Sequence, residues 1–266
     1  MSNPRLPVEL LDHITDFLDG EEDVLKSCCL VAKAWIPRSR KHLFAHIAFH
    51  TAENLHSWRT TFPDIFASPA HYTRSLLVRS PQIFMDADAG DEGWIPTFSK
   101  IAHLEVVISG RGVNGPHYFP FPFNRFSPAI KSLRVNFEDF PLSRISDLVR
   151  LFPRLQDLGV TTNNWFGCSS NFYKRHFAIQ PSSSLAFTGD LKLSLKMGMK
   201  FVAPRLLSVP GGLHFRKLRL TWHHEEDVQL TVALVEMCSS TLETLKIKCK
   251  LSGMTTWCHA YFPPDN

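Results

Sequence analysis

Ile130-Lys131-Ser132-Leu133-Arg134-Val135 is the stretch whose reading decides the fold, because its arrangement returns along the chain: an apolar residue or Thr, two residues, a Leu, one residue, an aliphatic. Before it come Thr73-Arg74-Ser75-Leu76-Leu77-Val78 and Ile101-Ala102-His103-Leu104-Glu105-Val106. After it come Leu155-Gln156-Asp157-Leu158-Gly159-Val160, Thr188-Gly189-Asp190-Leu191-Lys192-Leu193, Phe215-Arg216-Lys217-Leu218-Arg219-Leu220 and Leu242-Glu243-Thr244-Leu245-Lys246-Ile247. Successive central leucines are 28, 29, 25, 33, 27 and 27 residues apart. Leu-x-aliphatic has the two-residue period of a strand, so each copy places its large side chains on one face. Stacked parallel strands share such a face, which predicts a parallel sheet whose spacers cover the apolar side.

This spacing and pattern resemble irregular leucine-rich repeats. One copy, Leu155-x-x-Leu158-x-Val160-x-x-Asn163, carries the repeat consensus with its Asn; the others lack that residue at the matching place. Helical spacers are expected at Ile145, Leu148, Val149 and Phe152, capped by Ser143, and at Val228, Val232, Val235 and Cys238. Leu55, Trp58 and Phe62 predict a connector helix. Residues 109–128 interleave Gly and Pro with Tyr and Phe and read as a loop insertion. Few residues follow Ile247 to cap a last strand, so the sequence predicts a solenoid that is truncated or relies on a partner.

The first fifty residues have a different period. Leu10 or Leu11, Ile14, and Phe17 or Leu18 recur at three- and four-residue steps, with Pro7 suited to a first helical turn and Gly20 to a stop. Val24, Leu25, Cys28, Cys29, Val31 and Ala32 give a second apolar face, preceded by Asp19, Glu21, Glu22 and Asp23, where a helix start favours negative charge. A third helix is expected from Trp35, with Ile36, Leu43, Phe44 and Ile47 on its apolar side. Three short helices bury too little surface to be comfortable alone.

Leu6-Pro7-x-Glu9-Leu10-Leu11, then Ile14 and Leu18, Leu25, Leu30-Val31-Ala32-Lys33-Ala34-Trp35, and Leu43-Phe44-x-x-Ile47 together resemble the F-box motif, over residues 6–47. The resemblance implies a head that docks on the Skp-type adaptor of a cullin–RING ubiquitin ligase. It implies adaptor-facing positions at Leu6, Pro7, Leu10, Leu11, Ile14 and Leu18, with Leu25, Val31 and Trp35. Cys28-Cys29 departs from the small or aliphatic residues of many members. The expected architecture is therefore α/β: a three-helix F-box over residues 1–50 and a leucine-rich-repeat-like solenoid with a parallel sheet over 51–266. The function it implies is that of a substrate receptor without an active site; the alternative is an F-box scaffold not coupled to ubiquitination.

Composition agrees with a folded chain. Of 266 residues 44% are hydrophobic and 20% charged, and the net charge of +4 comes from scattered basic residues, so no nucleic-acid partner is expected. No basic stretch and apolar run opens the chain and no membrane-spanning run occurs, which predicts a cytoplasmic or nuclear protein without a membrane partner. Cys28, Cys29, Cys168, Cys238, Cys249 and Cys258 include no CxxC pair and read as reduced.

No cofactor, metal or catalytic group is expected. Gly110-Arg-Gly112-Val-Asn-Gly115 fits GxGxxG, but the prolines after it cannot open the helix a pyrophosphate needs. His223-His224 beside Glu225, Glu226 and Asp227, and Cys249 with Cys258 and His259, lack the spacing of zinc ligands. The residue between the two repeat aliphatics is Leu77, Glu105, Arg134, Gly159, Lys192, Arg219 and Lys246 in turn, with Lys196 and Lys248 nearby. Arg134, Lys192, Arg219 and Lys246 are thus candidate contacts to a protein target that is acidic or phosphorylated; the plainer reading is a solvated sheet face.

Overall fold

The computed structural model describes residues 6–64, 67–79, 92–108, 126, 129–137, 151–152, 154–162, 187–195, 203–207, 213–250 and 256–261. The fold is mixed α/β, and its strands form one mostly parallel nine-stranded sheet in sequence order. The sheet comprises β1 (His46–Phe49), β2 (Ser75–Val78), β3 (His103–Ile108), β4 (Ser132–Phe137), β5 (Asp157–Thr162), β6 (Phe187–Leu195), β7 (Leu213–Trp222), β8 (Thr244–Cys249) and β9 (Thr256–Tyr261). The chain forms two compact units, Met1–His103 with Arg125–Ser127, and Leu104–Asn124 with Pro128–Asn266. The N-terminal helices belong to the first of these units.

In the first unit, α1 (Val8–Phe17), α2 (Glu22–Val31) and α3 (Ile36–Leu43) follow the apolar periodicity. Pro7 stands at the N-cap of α1, and Gly20, at φ +93°, takes a left-handed conformation that suits glycine and ends the α1 turn. Lys33–Trp35 form a 3-10 turn that leads into α3, with Pro37 in its first turn. Ile47 belongs to β1 and not to the third helix as expected; it pairs with Leu76 of β2, and Phe49 with Val78. Phe44-Ala45-His46-Ile47-Ala48-Phe49 is therefore a further copy of the repeat. The Ala45 carbonyl accepts from Arg74 and Ser75 N–H at 2.8 and 3.0 Å, as the Arg74 carbonyl accepts from Ala102 and His103 at 2.8 and 2.9 Å.

The expected connector helix is α4 (Ala52–Thr61), opened by a capping box in which Thr51 Oγ1 accepts from Asn54 N–H and Asn54 Oδ1 accepts from Thr51 N–H. Its Trp58 joins an aromatic cluster, edge-to-face with Phe44 and Phe49 and tilted against Phe62 and Phe98, at centroid separations of 4.7–6.0 Å, which Trp94 extends through Phe49 and Phe98. The cluster closes the apolar side of β1.

In the second unit the pairings place Leu133, Leu158, Leu191, Leu218 and Leu245 side by side, and next to them Val135, Val160, Leu193, Leu220 and Ile247. Leu133, Leu158, Leu191 and Leu218 are buried, as are all five of the second row. The repeat's first position is inward too, at Ile130, Leu155, Phe215 and Leu242. The residues on either side of Gly189 break step with β7, and a Cβ on Gly189 would lie 1.9 Å from the Gln156 carbonyl oxygen, so that close approach requires glycine.

Helix α5 (Ala203–Leu207) packs on α6 (Asp227–Cys238), and α6 on β7. The helix expected from Val228, Val232, Val235 and Cys238 is α6; Cys238 is buried together with Asp227, Thr231 and Leu234, while Val228 and Val232 are exposed. Two polar residues can occupy the inward stripe because each has partners. The Asp227 carboxylate accepts from the His223 and His224 backbone N–H at 3.0 and 3.2 Å, and Thr231 Oγ1 accepts from Trp222 Nε1 at 2.9 Å. The apolar face of β8 does not end the sheet: β9 pairs with it antiparallel. The expected Ser143–Val149 helix, the 109–125 part of the loop, Asn163, Cys168 and Lys196 lie outside the described residues.

Candidate functional surfaces

The first candidate surface is on α1 and α2. Helix α1 carries two adjoining apolar stripes, and only one turns inward. Leu11 and Thr15 are buried, with Thr15 Oγ1 donating to the Leu11 carbonyl at 2.8 Å, and Leu18 is half-buried. The other stripe, Leu6, Leu10, Ile14 and Phe17, is exposed, with Ile14 at 41% and Phe17 at 77%. In α2, Leu25 is buried at 2%, whereas Val24, Leu30 and Val31 are exposed.

The nine expected positions thus divide. Leu6, Pro7, Leu10, Ile14 and Val31 are exposed, and Leu18 and Trp35 are half-buried. Leu11 and Leu25 are turned inward, as part of the core of the head. Val8, Phe17, Val24 and Leu30 are exposed apolar residues that the motif positions omit. For Val8 and Phe17 the signal was present in the sequence as an apolar band on α1 wider than one core-facing stripe.

Ion pairs fix α1 against α3, so the exposed stripe is presented by a braced element. The Asp16 carboxylate receives both Nε and Nη2 of Arg38, and His42 Nε2 lies 2.8 Å from it; His42 Nδ1 lies 3.0 Å from Asp19. The Arg38 hydrogen bonds, then that of His42, hold the Asp16 carboxyl well below the usual carboxylate range, against a smaller opposing effect of burial.

The second candidate surface is the sheet face opposite the core. One rung of it runs Arg134, Gly159, Lys192, Arg219, Lys246 and His259 across β4–β9, each paired with the next. The structure therefore aligns the four expected target contacts. Arg134, Lys192 and Arg219 are exposed and Lys246 is half-buried. Gly159 lies beside Arg134, whose Cγ is 3.4 Å from where a Cβ on Gly159 would be, an ordinary contact distance. Among the described residues these four make no ion pair. On the neighbouring rung Asp190 pairs with Lys217 at 3.6 Å.

Cys238 is buried, and burial pushes its thiol up; burial and then Cys258 do the same for Cys249, away from the reactive thiolate. No helix among the described residues is long and apolar enough to cross a membrane. No family model matches the chain, and no curated protein or solved structure matches it.

Proposed function

We propose that the chain is a substrate-receptor subunit of a cullin–RING ubiquitin ligase. In this reading α1–α3 act as an F-box that docks on a Skp-type adaptor, and the sheet acts as a leucine-rich-repeat solenoid that holds a protein target. One observation supports it most: the exposed aliphatic stripe on α1 and α2 in a head already braced by Arg38, His42 and Asp16. Burying one such side chain is worth about 1.5–3 kcal/mol, so an adaptor that covers several gains a hot-spot cluster without reorganising the helices. Leu11 and Leu25 serve this surface from behind, and Val8, Phe17, Val24 and Leu30 join it. The mechanism is proximity: the adaptor and the target bind one chain, and ubiquitin transfer by other subunits proceeds at raised effective concentration.

The test is co-expression with the Skp-type adaptor. The wild-type chain should co-purify with it, and Leu10→Asp with Ile14→Asp should lower the affinity at least roughly a hundredfold, at unchanged circular dichroism. A wild-type chain that does not capture the adaptor ends the proposal. Cullin in the eluate and transfer of ubiquitin to a bound target distinguish a receptor from a scaffold.

A further inference from the structure

The rung of positive charge continues onto β9 as a different chemistry. Beyond Lys246 its place is taken by His259, and two residues to either side along the strand stand Trp257 and Tyr261, 56% and 73% exposed. Trp257 pairs with Lys248, whose Nζ lies 5.0 Å from the indole centroid, and its ring lies 6.4 Å from that of His259. The acids of this face, Asp157 and Asp190, occupy the next rung toward the strand starts, paired with each other across β5 and β6. On the far side Thr161, Ser194 and Thr221 lead across to Lys248, which stands beside Trp257. Lys217 stands next to Asp190 in the acidic rung and pairs with it at 3.6 Å, so the positive charge of this face without an acidic partner among the described residues lies on the Arg134–Lys246 rung and at Lys248.

The spacing selects the kind of anion. Strands lie ~4.8 Å apart, so Lys192, Arg219 and Lys246 spread over about 10 Å, and Arg134 extends the line to about 19 Å. At ~3.3 Å per residue an extended peptide covers that length with about six residues. Single charges strung along a line match successive carboxylates; a phosphate dianion is better served by donors that converge on one point. From these observations we infer that the outward face of β4–β9 binds an extended acidic protein segment of about six residues, followed by an aromatic residue that packs on the exposed Trp257 ring. The inference rests on the sheet being the target-holding surface, and it is independent of the head.

The experiment measures fluorescence anisotropy of labelled peptides on the purified full-length chain. The probes are six alternating Asp and Glu residues ending in Phe, the same peptide ending in Ala, and a single-stranded oligothymidine. The Phe-ended peptide should bind best, and more weakly as salt rises. Lys192→Ala with Arg219→Ala and Lys246→Ala should weaken both peptides at least tenfold. Trp257→Ala should remove the preference for Phe over Ala, a factor of roughly fivefold, and leave the Ala-ended peptide unchanged. Binding that ignores salt, an unaffected triple variant, a Phe preference that survives Trp257→Ala, or tighter binding of the oligothymidine each overturns the inference. Adaptor capture by the same preparations separates the two readings: peptide binding without adaptor capture by the wild type rejects the receptor and retains the acidic-segment site.

Discussion

Thr73 occupies the place in its repeat that Ile101, Ile130, Leu155, Phe215 and Leu242 fill in others, and it is as buried as they are. Its hydroxyl is without a hydrogen-bond partner among the described residues. A buried hydroxyl that gives up water for nothing costs stability, and valine has nearly the same shape without that cost. Thr73→Val should therefore stabilise the chain by about 1 kcal/mol in denaturant unfolding; a loss of stability would mean that the hydroxyl is satisfied. Asp227 and Thr231 show the opposite case, since both are inward on α6 and both are supplied with donors. Apolarity alone would turn Val228 and Val232 inward on that helix, yet both are exposed while Asp227 and Thr231 are buried with their partners.

At the scale of elements, α1 and α3 are joined by a charged clamp whose pH dependence has a definite sign. The Asp16 carboxyl is held below its unfolded value, chiefly by Arg38 and then by His42, so the folded chain binds fewer protons at that site than the unfolded chain. The stabilisation is complete above about pH 4, the ordinary aspartate value, and is lost as pH falls through the lower folded value. Asp16→Asn should lower the melting temperature at neutral pH, and the gap to wild type should narrow below about pH 4. A gap that stays constant down to about pH 2 would show that the clamp does not depend on the Asp16 charge. Strand β1 makes a related point about elements. Phe44, Ile47 and Phe49 have the repeat's spacing, yet a three-residue step between Phe44 and Ile47 also suits a helix, so periodicity alone assigned Phe44 and Ile47 to the third helix. Pairing with β2 decides between them, because Ile47 and Phe49 meet Leu76 and Val78 in register.

For the whole molecule, the exposed helical stripe belongs to the first compact unit and the basic rung to the second. Changes that share no contacts act additively. Leu10→Asp with Ile14→Asp should therefore leave acidic-peptide affinity within about twofold of wild type, and the Lys192, Arg219 and Lys246 alanine variant should leave adaptor capture intact. A tenfold cross-effect in either direction would show that the two surfaces are coupled.

The sequence by itself determined the repeat, its strand period and the identity of the buried leucines, because a two-residue alternation repeated every 25–33 residues has one economical solution, a shared apolar face. It also determined the three N-terminal helices, through Pro7, Gly20 and a three-to-four-residue period. Only tertiary structure decided which of two apolar stripes on α1 faces inward, because Leu10 and Leu11 are equally apolar neighbours and yet one is exposed and the other buried. Tertiary structure alone also aligned Arg134, Lys192, Arg219 and Lys246 with His259, since the antiparallel return of β9 is a pairing between segments and not a property of either. Side-chain chemistry is local and can be read along the chain; which face it ends on depends on neighbours that the linear order does not identify.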